Sequence, residues 1–197
     1  MPRPRAFDEP HLIDAAIELF WAKGYRAVSL ADLTSQTGVT NGSLYQAYGN
    51  KWGLFLVAFG VYCERRVAVV TSAFDEQRDG VGETLRAYFD AIVDDCLAHP
   101  DRRGCLMLNT ISEFGTNAAV AEISTKTVDA MERAVQQALA RVAPRHASNA
   151  DVAASSAQTV ALSQALILLS RIGRDHEDLR TIGRNAASAT EMALLAS

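Results

Sequence analysis

Between positions 33 and 50 the sequence reads LTSQTGVTNGSLYQAYGN, a stretch with no charged side chain and many hydrogen-bonding groups. Thr40, Asn41, Ser43 and Gln46 carry donors and acceptors, Gly42 lets a backbone approach closely, and Tyr45 and Tyr48 carry hydroxyls on apolar rings. Neutral hydrogen-bonding side chains read base edges in duplex DNA, whereas phosphate contacts mainly set position. The same residue types also suit the solvated face of a helical hairpin, and taken alone they leave both readings open.

A second chemical feature is RRGCLMLN, positions 102–109. Cys105 follows Arg102 and Arg103 at the start of an expected helix, and both surroundings favour a thiolate reactive toward electrophiles or oxidants. The alternative is a buried small hydrophobe. Cys63 and Cys96 lie mid-helix and read as core. Three cysteines at irregular spacing give neither a disulfide framework nor a zinc pattern. A hydrolase pairing of Cys105 with histidine finds no support, since His11, His99, His146 and His176 are scattered along the chain. The sequence contains no nucleophile elbow, phosphate loop or metal-ligand spacing. No catalytic residue, metal or cofactor is expected.

The elements that must position these groups are helices. Of 197 residues, 49% are hydrophobic and 21% charged, with 5 prolines and no alternating β-branched runs. The reading is an all-α chain of about nine helices. The formal net charge of −4 argues against attraction to nucleic acid over the whole surface. Residues 1–51, however, hold five Lys/Arg against five Asp/Glu, so a local site is compatible with the charge. No signal peptide is recognised at the start, and a cytoplasmic location is expected. The uncharged run 152–170 carries Ser155, Ser156, Gln158, Thr159, Ser163 and Gln164, too polar for lipid exposure, so no membrane partner is expected.

Asp8 reads as the N-cap of a first helix with Pro10 in its first turn and Gly24 as a left-handed stop. Ser29 and Asp32 form a capping box opening a short helix that ends at Gly38. Thr40 caps the next, to about position 47, giving helix-turn-helix spacing with Val39 and Leu44 as apolar anchors. A long helix runs from Lys51 through Trp52 to about position 73. Another carries Leu85 to Cys96 and closes at His99-Pro100. CLMLNTISEF forms a short helix ending at Gly115. A longer one keeps a three-four rhythm from Val120 to Val142. The last two cover 151–172 and 176–195, with Asp175 as a cap.

In order, LFWAKGY and SLADLTSQTGVTNGSLYQAYGNKWGLF resemble the N-terminal DNA-binding domain of the TetR family of bacterial repressors. Phe20, Lys23, Gly24, Tyr25, Ser29, Leu33, Gly38, Val39, Leu44, Tyr45, Tyr48 and Lys51 match the family pattern or differ conservatively, over positions 8–56. Thr34, Asn41, Ala47 and Trp52 depart from it, and they leave the operator sequence unread. The resemblance implies a DNA-binding domain at 1–51 and an effector-binding and dimerisation domain at 52–197. It implies that Thr40, Asn41, Gly42, Tyr45 and Gln46 face the major groove, with Ser29 and Ser43 in the same contact set. Tyr48 and Lys51 would touch phosphate, and Arg3 and Arg5 would form a minor-groove arm.

The resemblance further implies a homodimer formed through the last two helices and released from a palindromic operator by a small molecule. Interface candidates are the uncharged run and a small-residue stripe of Ile182, Gly183, Ala186, Ala187 and Thr190; internal core is the other reading of both. For the effector pocket the candidates are Phe59, Tyr62, Tyr88, Phe89, Ile92, Met107, Phe114 and Met131, with Cys105. Asn109 and Gln164 would orient the ligand. Their charge-poor character suggests a neutral or aromatic effector. Cys105 as a thiol sensor, in a chain that still binds DNA, is the alternative to a reversible ligand. A helical protein-interaction module without DNA binding is the more remote one.

Overall fold

Small polar residues start most of the helices by satisfying amides that the first turn leaves free. The computed structural model describes residues 7–99 and 101–196, and these contain nine α-helices and no strand. Arg3 and Arg5 of the expected arm, and Pro100, lie outside the described residues. In α1 (Glu9–Lys23) the Asp8 carboxylate accepts from the His11 amide at 3.2 Å. Gly24 ends α1 at φ +78°, but its ψ of 158° lies outside the left-handed helical well expected for it. The capping box of α2 (Leu30–Thr37) is present in both directions, and Gly38 closes that helix in the left-handed conformation, φ +69°.

Thr40 caps α3 (Asn41–Tyr48), and Asn50 caps α4 (Lys51–Ser72) through the Gly53 amide at 2.9 Å. The remaining helices are α5 (Val81–Leu97), α6 (Leu106–Phe114), α7 (Ala118–Val142), α8 (Asn149–Arg171) and α9 (His176–Ala196). Helix α8 begins two residues before the expected position 151 because Ser148 and Asp151 form a second capping box.

Helices α1 to α3 pack on one another and on the start of α4, burying Leu12, Phe20, Leu33, Leu44, Leu54 and Phe55. An aromatic seam then joins this head to the body. Phe20 meets Phe55 edge-on at 5.1 Å, and Tyr25 meets Trp52 at 5.1 Å and Phe114 of α6 at 5.5 Å. Each such pair contributes about 0.5–1.5 kcal/mol beyond its burial. In the body, α5 lies along α9 and α7 along α8, with α4 against α7. A buried Arg66 guanidinium holds both Asp95 oxygens at 2.8 Å and ties α4 to α5.

The small-residue stripe of α9 faces inward, which corrects the interface expected there. Gly183, Ala187 and Thr190 are buried, and a Cβ on Gly183 would stand 2.7 Å from the Phe89 Cβ of α5. Glycine is what lets these two helices approach so closely. By length and composition α8 could cross a membrane. Its Ser155, Ser156, Thr159 and Ser163 face the body interior instead, and Ser156 and Thr159 each donate to the carbonyl one turn earlier. The outward faces of α8 and α9 expose Leu162, Leu168, Ile172, Met192 and Leu195.

Candidate nucleic-acid interface

Two buried side chains hold α3 to the head, Val39 before it and Leu44 within it. The turn between α2 and α3 is fixed by Thr37, whose hydroxyl donates to the Leu33 carbonyl at 2.7 Å and accepts from the Val39 amide at 3.2 Å. Thr40, Asn41, Gly42, Tyr45 and Gln46 are then all exposed on one side of α3. Tyr45 is 53% exposed, unusual for so large a ring and unexplained by packing. The sequence-expected reading face is therefore a continuous, uncharged, solvent-facing surface on a helix held from behind.

Other candidates are engaged within the protein. Thr40 Oγ1 accepts from the Ser43 amide at 3.2 Å and lies 3.1 Å from the Ser43 hydroxyl. Ser29 serves α2: its hydroxyl accepts from the Asp32 amide and its own amide donates to Asp32 Oδ2. The Ser29 hydroxyl and amide bonds, helped by Lys23, pull the Asp32 carboxyl down to about 2. The Tyr48 hydroxyl donates to Glu9 Oε1 at 3.1 Å. Lys51 Nζ donates to the carbonyls of Tyr25 and Val28, each at 2.8 Å, so one of its three N–H groups is left for another acceptor. This locking role of Lys51 was not readable in the sequence, because the carbonyls it serves lie 23 and 26 residues away.

The body candidates separate into three groups. Phe59, Tyr88, Phe89, Ile92, Met107 and Met131 are buried in the core. Within it the Tyr88 hydroxyl and Gln164 Oε1 have no hydrogen-bond partner among the described residues, while Gln164 Nε2 donates to the Ser163 hydroxyl at 3.3 Å. Burial raises Tyr88 to about 12. The second group is Tyr62 with Cys105. The Tyr62 hydroxyl donates to Cys105 Sγ at 3.4 Å and accepts from the Leu106 amide at 3.1 Å. Cys105 is buried, and Arg103, expected to activate it, is bound by Glu18 and Asp101 instead. The third group, Asn109 and Phe114, lines an open groove between α6 and the end of α1.

Residues 12–58 match the model of the bacterial regulatory proteins of the tetR family. The transcriptional repressor ComR of Escherichia coli (strain K12) is 34% identical over 138 residues, 70% of this chain and 66% of ComR. The uncharacterized HTH-type regulator YezE of Bacillus subtilis (strain 168) is 30% identical over 181 residues, 91% of this chain and 92% of YezE. Among solved structures, a cysteine mutant of the TetR-family regulator CifR with a 26-base-pair operator duplex superposes with a TM-score of 0.72. It is 23% identical and covers 95% of this chain and 99% of CifR, a likeness of fold.

Proposed function

The chain belongs to the TetR family of bacterial transcriptional regulators, a family of regulators and not of enzymes, and we propose that it is a homodimeric repressor whose α3 reads a palindromic operator. The observation that carries this is the uncharged, exposed face of Thr40, Asn41, Gly42, Tyr45 and Gln46 on a helix held from behind by Val39 and Leu44. Base edges demand such hydrogen-bonding groups in a fixed register, and Leu44 supplies the register. The remaining N–H of Lys51 is assigned to phosphate, as is Tyr48 once its hydroxyl exchanges Glu9 for a phosphate oxygen, with Ser29 and Ser43 holding the helix ends that present them. Residues 1–51 form the DNA-binding domain and 52–197 the effector and dimer domain, in the cytoplasm.

The dimer forms through the outward faces of α8 and α9. Leu168, Ile172, Met192 and Leu195 are each more than half exposed there, and Ala161, Ala165 and Ala189 lie exposed between them. Exposed apolar side chains spread along both helices of one hairpin suit an interface. An isologous pairing of it would set the spacing of two heads.

A small molecule whose binding favours a different head spacing releases the operator, by no more than its preference for that spacing. Cys105 as a covalent sensor is the second reading: the residue borders a cavity of about 20 Å³, room for about one water, with Arg66, His99 and Arg102. Cys105→Ser separates the two: it abolishes release by an electrophile and leaves release by a reversible ligand intact.

The experiment is a fluorescence-anisotropy titration on duplex DNA from upstream of the chain's own coding sequence. Specific binding that falls steeply with salt supports the assignment, and a flat salt dependence contradicts a phosphate-contacting site.

A further inference from the structure

Taking the effector reading above as its basis, we propose that the groove between α1 and α6 is the effector site and that its ligand is a small aromatic carboxylate. The open groove has a volume of about 760 Å³, within the range of small-molecule sites. One wall comes from the head, through Trp21, Lys23 and Tyr25. The other comes from α6, the 101–103 loop and Arg171 at the end of α8.

Aromatic rings make up its apolar part. Trp21, Tyr25 and Phe114, all half-buried, border it, with Tyr25 and Phe114 centred 5.5 Å apart over the buried Phe20 and Phe55. Such a surface takes a flat ring.

Its charges do not balance locally. Arg103 is held by Glu18 and Asp101, at 2.7 Å each, and lies over the Trp21 ring. Lys23 is paired with Asp32, and Glu113 with Arg26. Arg102 and Arg171 remain, and neither has a carboxylate partner among the described residues. Both side chains are nevertheless placed. Arg171 donates to Asn109 Oδ1, and Asn109 Nδ2 in turn donates to the Arg103 carbonyl at 3.0 Å. The Arg171 stem lies so close to Gly104, and the Arg102 guanidinium so close to Gly173, that a Cβ at either glycine would come within 2.8 and 2.6 Å of them. Arg102 itself has φ +54°, the one positive φ outside glycine among the described residues. Both arginines border the groove, and a guanidinium matches the planar, two-oxygen geometry of a carboxylate.

The position also explains how binding would reach the DNA. Head and body are linked across this groove by the Trp21 indole N–H to the Gly104 carbonyl at 3.0 Å and by Arg103 to Glu18. A ligand wedged between the same two walls favours one head position over the other, which is the requirement for release.

The test is tryptophan fluorescence of the full-length chain titrated with benzoate, salicylate, 1-naphthoate and indole-3-acetate, with benzamide and 1-naphthamide as neutral controls. At least one carboxylate should quench saturably with a Kd of about 1 mM or tighter. Its amide counterpart, and the Arg102→Gln and Arg171→Gln variants, should bind about tenfold more weakly or worse. Failure of all four carboxylates to saturate overturns the site, and so does undiminished binding when Arg102→Gln and Arg171→Gln are combined. Operator anisotropy is read separately. A carboxylate that binds the groove without lowering operator affinity overturns the effector role, and a chain that binds carboxylate but no duplex sinks the repressor reading instead.

Discussion

The ammonium of Lys51 lies 2.8 Å from the carbonyl oxygen of Tyr25 and 4.2 Å from the centroid of that residue's ring. One side chain at the start of α4 thus closes the loop that leads into α2, and its second bond, to Val28, reaches the residue before the Ser29 cap. Removing it leaves two half-buried carbonyls without a donor, which costs about 1–3 kcal/mol each. Lys51→Met is therefore expected to lower Tm by several degrees as well as to weaken DNA binding. A Tm equal to wild type by calorimetry would reduce Lys51 to a phosphate contact alone.

Opposite behaviour is expected of Gly183 and Gly60. Alanine in a helix gains about 1 kcal/mol over glycine. At Gly183 the new Cβ meets Phe89 at 2.7 Å, and overpacking of about 1–3 kcal/mol outweighs the gain. A Cβ added at Gly60 would meet nothing within 4 Å beyond its own helix backbone. Urea unfolding should show Gly183→Ala destabilised and Gly60→Ala stabilised; the reverse order would contradict the α5–α9 contact.

The capping box of α2 carries a pH dependence. Asp32 is depressed from 3.8 to about 2, first by its bond to the Ser29 hydroxyl. A depressed carboxylate contributes stability that is complete above its unfolded value and is lost as pH falls toward the folded one. The Tm advantage of wild type over Asp32→Ala should be constant above pH 5 and shrink between pH 4 and 2. An advantage unchanged at pH 2 would mean the carboxylate's charge plays no part.

Placing a charge on the outward apolar face should separate the protomers. Leu168→Glu combined with Met192→Glu alters two side chains that are 56% and 63% exposed, so the fold is expected to survive. Analytical ultracentrifugation at micromolar concentration should give a dimer for wild type and a monomer for the variant. A dimer in both would move the interface elsewhere.

The head was legible because its signals are local. Ser29 with Asp32, Gly38 and Thr40 each act within four residues, and an N-cap or a left-handed stop has few alternatives. Surface contacts between distant segments were not. Periodicity marked the stripe around Gly183 as small and apolar, but it carries no record of whether such a face meets α5 or a second copy. The eight apolar pocket candidates suffered the same ambiguity, and all but Phe114 are buried in the body. The groove has no local signature, because its walls lie more than 80 residues apart in sequence, joined by Trp21 to Gly104.

Reading of DNA by the face of Thr40, Asn41, Tyr45 and Gln46 is the heart of the proposed function. Its most direct test is selection of duplexes from a random-sequence library by the purified chain, repeated with Tyr45→Ala. Tyr45 is exposed, so its truncation should change stability by no more than about 0.5 kcal/mol. Wild type should enrich one sequence with two-fold symmetry and bind it at least about 10³-fold more tightly than unrelated duplex, and Tyr45→Ala should lose that preference. No enrichment by wild type, or the same sequence enriched equally by Tyr45→Ala, would contradict the account.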